Sequence, residues 1–227
     1  MSEISAPKFI AALGLAVALL TPRSRAATVL TIDNFESYTA GSAIATSSTS
    51  TPWLRFGNVA DNLYASTSST SLLAGAQSGR IPVSFTAAGQ SATVRRNFVT
   101  ATNFSSYNTA SVLTKSLTTS TTGLLQLSIS DGATTYVSTV AQAESSTAQT
   151  LNFSLAPGAF TLGSGSDSFA TVLANTTSFG FRISSSANTA SETFAFDNFT
   201  ISATPEPASL GAAAVAAGML LRRRRDR

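Results

Sequence analysis

Phe194-Ala195-Phe196-Asp197-Asn198-Phe199-Thr200-Ile201 carries two alternations that disagree with each other. Successive strand residues point to opposite faces, so Phe194 and Phe196 share one face, while Phe199 and Ile201 share a face of the opposite parity. Both pairs belong in a core. The register must therefore shift by one residue between Phe196 and Phe199, and a β-bulge at Asp197-Asn198 is the simplest device that does it. The stretch reads as one strand with a bend built in, spanning Thr193–Ser202.

Working outward, the same period of two recurs in Phe179-Phe181-Ile183, Leu151-Phe153-Leu155, Leu125-Leu127-Ile129 and Ile81-Val83-Phe85. Further strands are expected at Thr28–Ile32, Trp53–Asn58, Ala92–Thr100, Ser111–Leu117 and Thr135–Ala141. Asp131-Gly132, Pro157-Gly158 and Gly163-Ser164-Gly165 are expected as breaks between them. About ten short strands separated by turn residues predict an all-β fold, an antiparallel β-sandwich of jelly-roll type. One segment departs from the pattern. Phe169, Val172 and Leu173 recur at helical spacing, so a single short helix is expected there, capped by Asp167 or Ser166 and closed by Asn175. Ser and Thr are abundant, as in disordered stalks, but the 14 Phe and the clean alternation argue for a packed core.

The chain of 227 residues has no Cys and no His, so disulfides, thiolate or imidazole metal ligands and Ser-His or Cys-His nucleophiles are all excluded. Its formal charge of +3 is unevenly spread. Between Ala27 and Thr204 six bases (Arg55, Arg80, Arg95, Arg96, Lys115 and Arg182) face eight acids (Asp33, Glu36, Asp61, Asp131, Glu144, Asp167, Glu192 and Asp197). The middle of the chain is thus slightly acidic, and nucleic acid is not an expected partner. Arg95-Arg96 reads as a surface pair on alternate faces that serves solubility.

The basic excess sits at the two ends. Residues 1–26 place Lys8 before twelve apolar residues, Phe9 to Leu20, followed by Thr21-Pro22 and Ser24-Arg25-Ala26. Twelve residues rise only ~18 Å as a helix, short of a stable span and suited to a signal peptide with cleavage after Ala26, or after Ala27. Residues 204–227 hold Pro205-Glu206-Pro207, an apolar run from Ala208 to Leu221, and then Arg222, Arg223, Arg224 and Arg225. As a helix the run is ~21 Å long against a ~30 Å hydrocarbon core, a marginal transmembrane helix with its arginines held inside. This trio resembles the PEP-CTERM sorting signal. The resemblance implies recognition by an exosortase after signal peptidase has acted, transient contact with the inner membrane, and export of residues 27–203 to the cell surface or extracellular matrix.

The two ends of the middle segment, Ile32-Asp33-Asn34-Phe35-Glu36-Ser37-Tyr38 and Phe194 to Ile201, together resemble jelly-roll carbohydrate-binding modules and concanavalin-like domains. That resemblance implies neighbouring first and last strands that frame a structural calcium. Glu36 and Asp197 are its candidate ligands, since paired carboxylates with backbone carbonyls suit Ca²⁺. The alternative leaves both as solvated turn residues. Trp53, with Tyr38 and Tyr64, is the candidate sugar-stacking set, the alternative for Trp53 being the core. Glycoside hydrolysis needs two carboxyl groups ~5–10 Å apart. Glu192 and Asp197 are five residues apart, so an unbroken strand would point them to opposite faces, and only the bulge would change that. The expected function is non-catalytic association with exopolysaccharide, the alternative a self-associating structural or adhesive surface protein without a sugar site.

Overall fold

A computed structural model of the chain describes residues 27–46, 52–57, 63–87, 89–118, 122–187 and 190–203. The leader 1–26 with Ala26, the sorting signal from Pro205 to Arg227, and Asp61 lie outside the described residues. The described strands are β1 Thr28–Asp33, β2 Ala45–Thr46, β3 Trp53–Phe56, β4 Tyr64–Ser66, β5 Ser78–Phe85, β6 Ser91–Thr102 and β7 Thr109–Ser116. After them come β8 Gly123–Ser130, β9 Thr135–Ser138, β10 Gln142–Ala143, β11 Gln149–Ser154, β12 Phe160–Ser164, β13 Thr176–Ser185 and β14 Ala190–Ala203. They form two sheets. The smaller runs β11-β7-β14-β5-β4, with β1 on β14; the larger runs β12-β9-β8-β13-β6-β3-β2, with β10 on β8. All pairings are antiparallel except the short β2–β3 ladder. The described residues form an all-β sandwich with almost no helix.

The alternations do what period two requires. In β13, Phe179, Phe181 and Ile183 are fully buried, as are Leu125, Leu127 and Ile129 of the adjacent β8. These side chains meet the buried Phe of β14 across the sandwich. Phe181 lies 5.1 Å from Phe196 and 4.7 Å from Phe199, and Phe179 is 5.1 Å from Phe199 (all centroid to centroid). One aromatic cluster thus ties the two sheets together.

The bend in the last strand is present. Against β7 the register of β14 shifts between Asp197 and Thr200, and Asn198 takes φ 46. Before the shift β14 pairs with β5; beyond it the partner is β1, so the first and last strands are neighbours.

Two local expectations are corrected. The helix α1 Phe169–Ala174 is capped by Ser168, whose Oγ accepts from the Thr171 N–H at 3.2 Å, and closes at Asn175. Neither Ser166 nor Asp167 serves as cap, because Asp167 Oδ2 is taken by the Thr134 hydroxyl at 3.1 Å. Gly163-Ser164 is not a break: β12 runs through it and pairs with β9, with the register slipping at that point.

Candidate functional site

Asp33 ends β1, and its carboxylate organises one end of the core. Oδ1 accepts the Phe35 N–H at 2.8 Å, holding Phe35 at φ 60, a strained angle for a bulky residue. Oδ2 accepts the Tyr38 hydroxyl and, at 2.9 Å, the Trp53 indole N–H, and pairs with Arg96 Nε at 3.3 Å. Burial, followed by the bond to Asp33 and its charge, pushes the Tyr38 hydroxyl pKa well above its ordinary value. Trp53 is wholly buried, stacked on Phe35 at 5.5 Å and near Phe181 at 6.4 Å. It offers no open face to a sugar. The solubility role expected for Arg95-Arg96 is also corrected, because Arg96 shares the parity of buried Val94 and turns inward to Asp33.

Glu36 and Asp197 are brought to one turn, residues 74–78. Glu36 Oε1 accepts the N–H groups of Ala76 at 2.8 Å and Gln77 at 3.2 Å. Asp197 Oδ2 accepts the Ala74 N–H at 3.0 Å and the Ser78 hydroxyl at 2.8 Å, and Oδ1 accepts the Asn198 N–H at 2.7 Å. At φ +60, Gly75 lies so near the Glu36 carboxylate that no Cβ fits between them. Burial raises the Asp197 pKa, its three hydrogen bonds pull the other way, and the charge of Glu36 raises it further. Calcium fits this arrangement poorly. N–H and O–H donors occupy Glu36 Oε1 and both Asp197 oxygens, and no cluster of three or more acids is found among the described residues. The pair clamps a turn.

The outer face of the larger sheet presents a groove that the sequence reading missed. On β6, Thr93 and Arg95 have the parity opposite to buried Ala92 and Val94, so they face outward. Their partners on β3 are Phe56 and Leu54; on β13 they are Arg182 and Gly180. Arg182 in turn pairs with Gln126, and Gly180 with Ser128, on β8. Of these residues Phe56, Thr93, Arg95, Ser128 and Arg182, with Thr135 and Val137 of β9 and Gly163 and Ser164 of β12, bound a groove of about 380 Å³. Phe56 is 42% exposed, and the Arg95 guanidinium lies 4.5 Å over its ring. Arg95 Nη1 donates to the Thr135 hydroxyl at 3.2 Å, and Arg182 Nη1 to Gln126 Oε1 at 3.4 Å. Burial lowers the Arg95 pKa to about 10.

Tyr64 faces elsewhere. It pairs with Arg80 on the smaller sheet, where both border a depression with Thr67 and Ser68. Tyr38, Trp53 and Tyr64 thus do not converge on one surface.

Two more acids are buried at the end of the sandwich near β7 and β8. Glu144 accepts the Thr114 hydroxyl at 3.0 and 2.9 Å, and burial pushes its pKa up to about 7, the neighbouring Glu192 charge adding to this. Glu192 Oε1 accepts the N–H of Thr122 at 3.0 Å and also its hydroxyl, while Oε2 is buried without a hydrogen-bond partner. Neither acid lines a groove among those described on the sheet faces.

No protein-family model and no curated protein matches the chain. Solved structures do. The family 11 carbohydrate-binding module of the cellulosomal cellulase Lic26A-Cel5E of Clostridium thermocellum superposes with a TM-score of 0.52 at 14% identity, over 78% of this chain and 95% of that one. The solution structure of CtCBM11 gives 0.53 over the same shares and at the same identity. The Clostridium thermocellum family 11 module in complex with a β-1,3-1,4-mixed-linked tetrasaccharide gives 0.51 at 14% identity, over 77% and 94%. At such low identity the likeness is one of fold. These three structural neighbours are carbohydrate-binding modules.

Proposed function

We propose that residues 27–203 form a non-catalytic polysaccharide-binding module of jelly-roll type, and that the groove on the larger sheet is its sugar site. The observation that carries this reading is the groove's composition. A half-open aromatic ring, Phe56, stands beside two arginines and the neutral hydroxyls of Thr93, Ser128, Thr135 and Ser164, with no carboxylate in the lining. Sugar rings stack their C–H faces on such a ring, and the flanking donors fix their hydroxyls. The absence of a carboxyl pair in that lining speaks for binding rather than hydrolysis. The fold neighbours agree with this reading. One was solved with a bound tetrasaccharide, and nearly all of its length is matched by this chain.

The sorting signal proposed for Pro205, Glu206, Pro207 and Arg222 to Arg225 supplies the setting: export, processing by signal peptidase and exosortase, and residence with exopolysaccharide outside the cell. The native protein is then expected to lack Arg227 by mass spectrometry; Arg227 still attached would contradict it. The rival reading, a self-associating surface protein, draws on Val29 and Leu30, exposed at 61% and 38% on β1. Affinity electrophoresis of the full chain through gels holding dissolved polysaccharides separates the two. Retardation of the wild type that Phe56→Ala abolishes and Tyr64→Ala leaves intact supports the module. Failure of every polysaccharide to retard the wild type removes it.

A further inference from the structure

Arg95 and Arg182 bring two guanidinium groups to one outer face, on the adjacent strands β6 and β13. Gly180, paired with Arg95 on one side and Ser128 on the other, puts no side chain between those two residues. The lining holds no Asp or Glu. Among the described residues the ion pair is Arg96–Asp33, on the inner face of the same sheet, and neither Arg95 nor Arg182 has a carboxylate partner.

Arg95 is the more telling of the two. Its Nε is buried without an acceptor, Nη1 reaches only a neutral hydroxyl, and its guanidinium carbon lies over the Phe56 ring. Withdrawing a cation from water costs several kcal/mol unless an anion offsets it. The cation–π contact contributes only ~1 kcal/mol. The lowered basicity of Arg95 is the trace of that uncompensated charge. Arg182 spends one of its five N–H donors on Gln126 through a long 3.4 Å bond, so it too has donors for a ligand.

We propose that the groove selects anionic glycans, polymers of carboxylate-bearing sugars such as uronic acids, with the planar carboxylate on the guanidinium forks and the sugar ring along the open part of Phe56. The carboxylate fits because guanidinium binds it in a bidentate fork, a geometry neutral hydroxyls do not offer. The inference rests on the polysaccharide-binding reading and narrows it to one chemical class.

A matched pair of polymers tests it: polygalacturonate and its methyl ester, which share a backbone and differ in charge, with neutral mixed-linkage β-glucan as a third arm. The probe is the full chain at low salt, about 50 mM, where ionic contacts are least screened. Polygalacturonate should bind at least about tenfold tighter than the ester, with the gap narrowing as salt rises. Arg182→Gln and Arg95→Gln should each reduce that preference about tenfold. Arg182, unlike Arg95, has no buried unpartnered nitrogen, so its variant keeps the test alive if Arg95→Gln fails to fold. Equal affinity for ester, glucan and acid would overturn the anionic preference and leave polysaccharide binding standing. No binding to any of the three would overturn both. Polygalacturonate binding untouched by either substitution would place it on other bases, such as Arg222 to Arg225, and equally overturn the inference.

Discussion

Replacing Glu144 by Gln should raise the stability of the fold at about pH 8 and leave it nearly unchanged at about pH 4.5. The side chain is 5% exposed, and its carboxyl is met by a single Thr114 hydroxyl. Burial raises its pKa from 4.5 to about 7, the Thr114 bond opposing and the Glu192 charge adding. The folded pKa therefore exceeds the unfolded one. Stability contributed by the neutral acid is complete below about pH 4.5 and is lost as pH rises through about 7. At about 1.4 kcal/mol per pKa unit, the loss is about 3 kcal/mol, or roughly 6–12 °C in Tm for a domain of this size. Glutamine keeps the shape and stays neutral throughout. Urea unfolding followed by the fluorescence of Trp53, at several pH values between those limits, reads the effect directly. Asp197 is raised as well, so the informative quantity is the difference between wild type and variant. That difference should grow from near zero to about 3 kcal/mol with pH. Parallel curves for the two proteins would refute the argument, because they would mean that Glu144 is as well solvated folded as unfolded.

Asp33→Ala removes the shared acceptor of Phe35, Tyr38 and Trp53 together with the partner of Arg96, and should cost about 3 kcal/mol or more in urea unfolding at neutral pH. Gly79→Ala would drive a methyl group into the Phe35 ring, with the nearest ring carbon 2.5 Å from the new Cβ; a drop of about 1–3 kcal/mol is expected, and a neutral outcome would mean that Phe35 is free to move. Millimolar calcium should leave Tm unchanged, because Glu36 Oε1 and Asp197 Oδ2 are held by N–H and O–H donors of the 74–78 turn and Asp197 Oδ1 by the Asn198 N–H. A rise that chelator reverses would show that the turn rearranges into a metal site.

What the sequence made legible was whatever repeats with period two over several residues. β5, β8, β11, β13 and β14 each declare themselves because one face is buried, and the bulge is legible because Phe196 and Phe199 cannot otherwise share a core. The short strands β2, β4 and β10 are two or three residues long, too short to show any period, and β12 hides behind the glycine at 163. The helix is legible from Phe169, Val172 and Leu173, but its cap is not, since Ser166, Asp167 and Ser168 are all good cap residues. The site was the least legible part. Arg95-Arg96 looked like two surface charges because parity tells only that they differ in face. Which one meets a buried carboxylate depends on Asp33, some sixty residues earlier, and no local pattern carries that pairing. Trp53 invites a sugar-binding reading for the same reason: its burial is set by β3 pairing with β6 and by the rings of Phe35 and Phe181.

Backbone amide shifts of the full chain, mapped while a galacturonate oligosaccharide is titrated in, test the central claim most directly. The account predicts saturable shifts gathered on the outer face of the larger sheet, at Phe56, Thr93, Arg95, Ser128, Thr135 and Arg182. Shifts gathered instead around Tyr64, Arg80 and Lys115 on the smaller sheet, or no saturable shift at all, would contradict it.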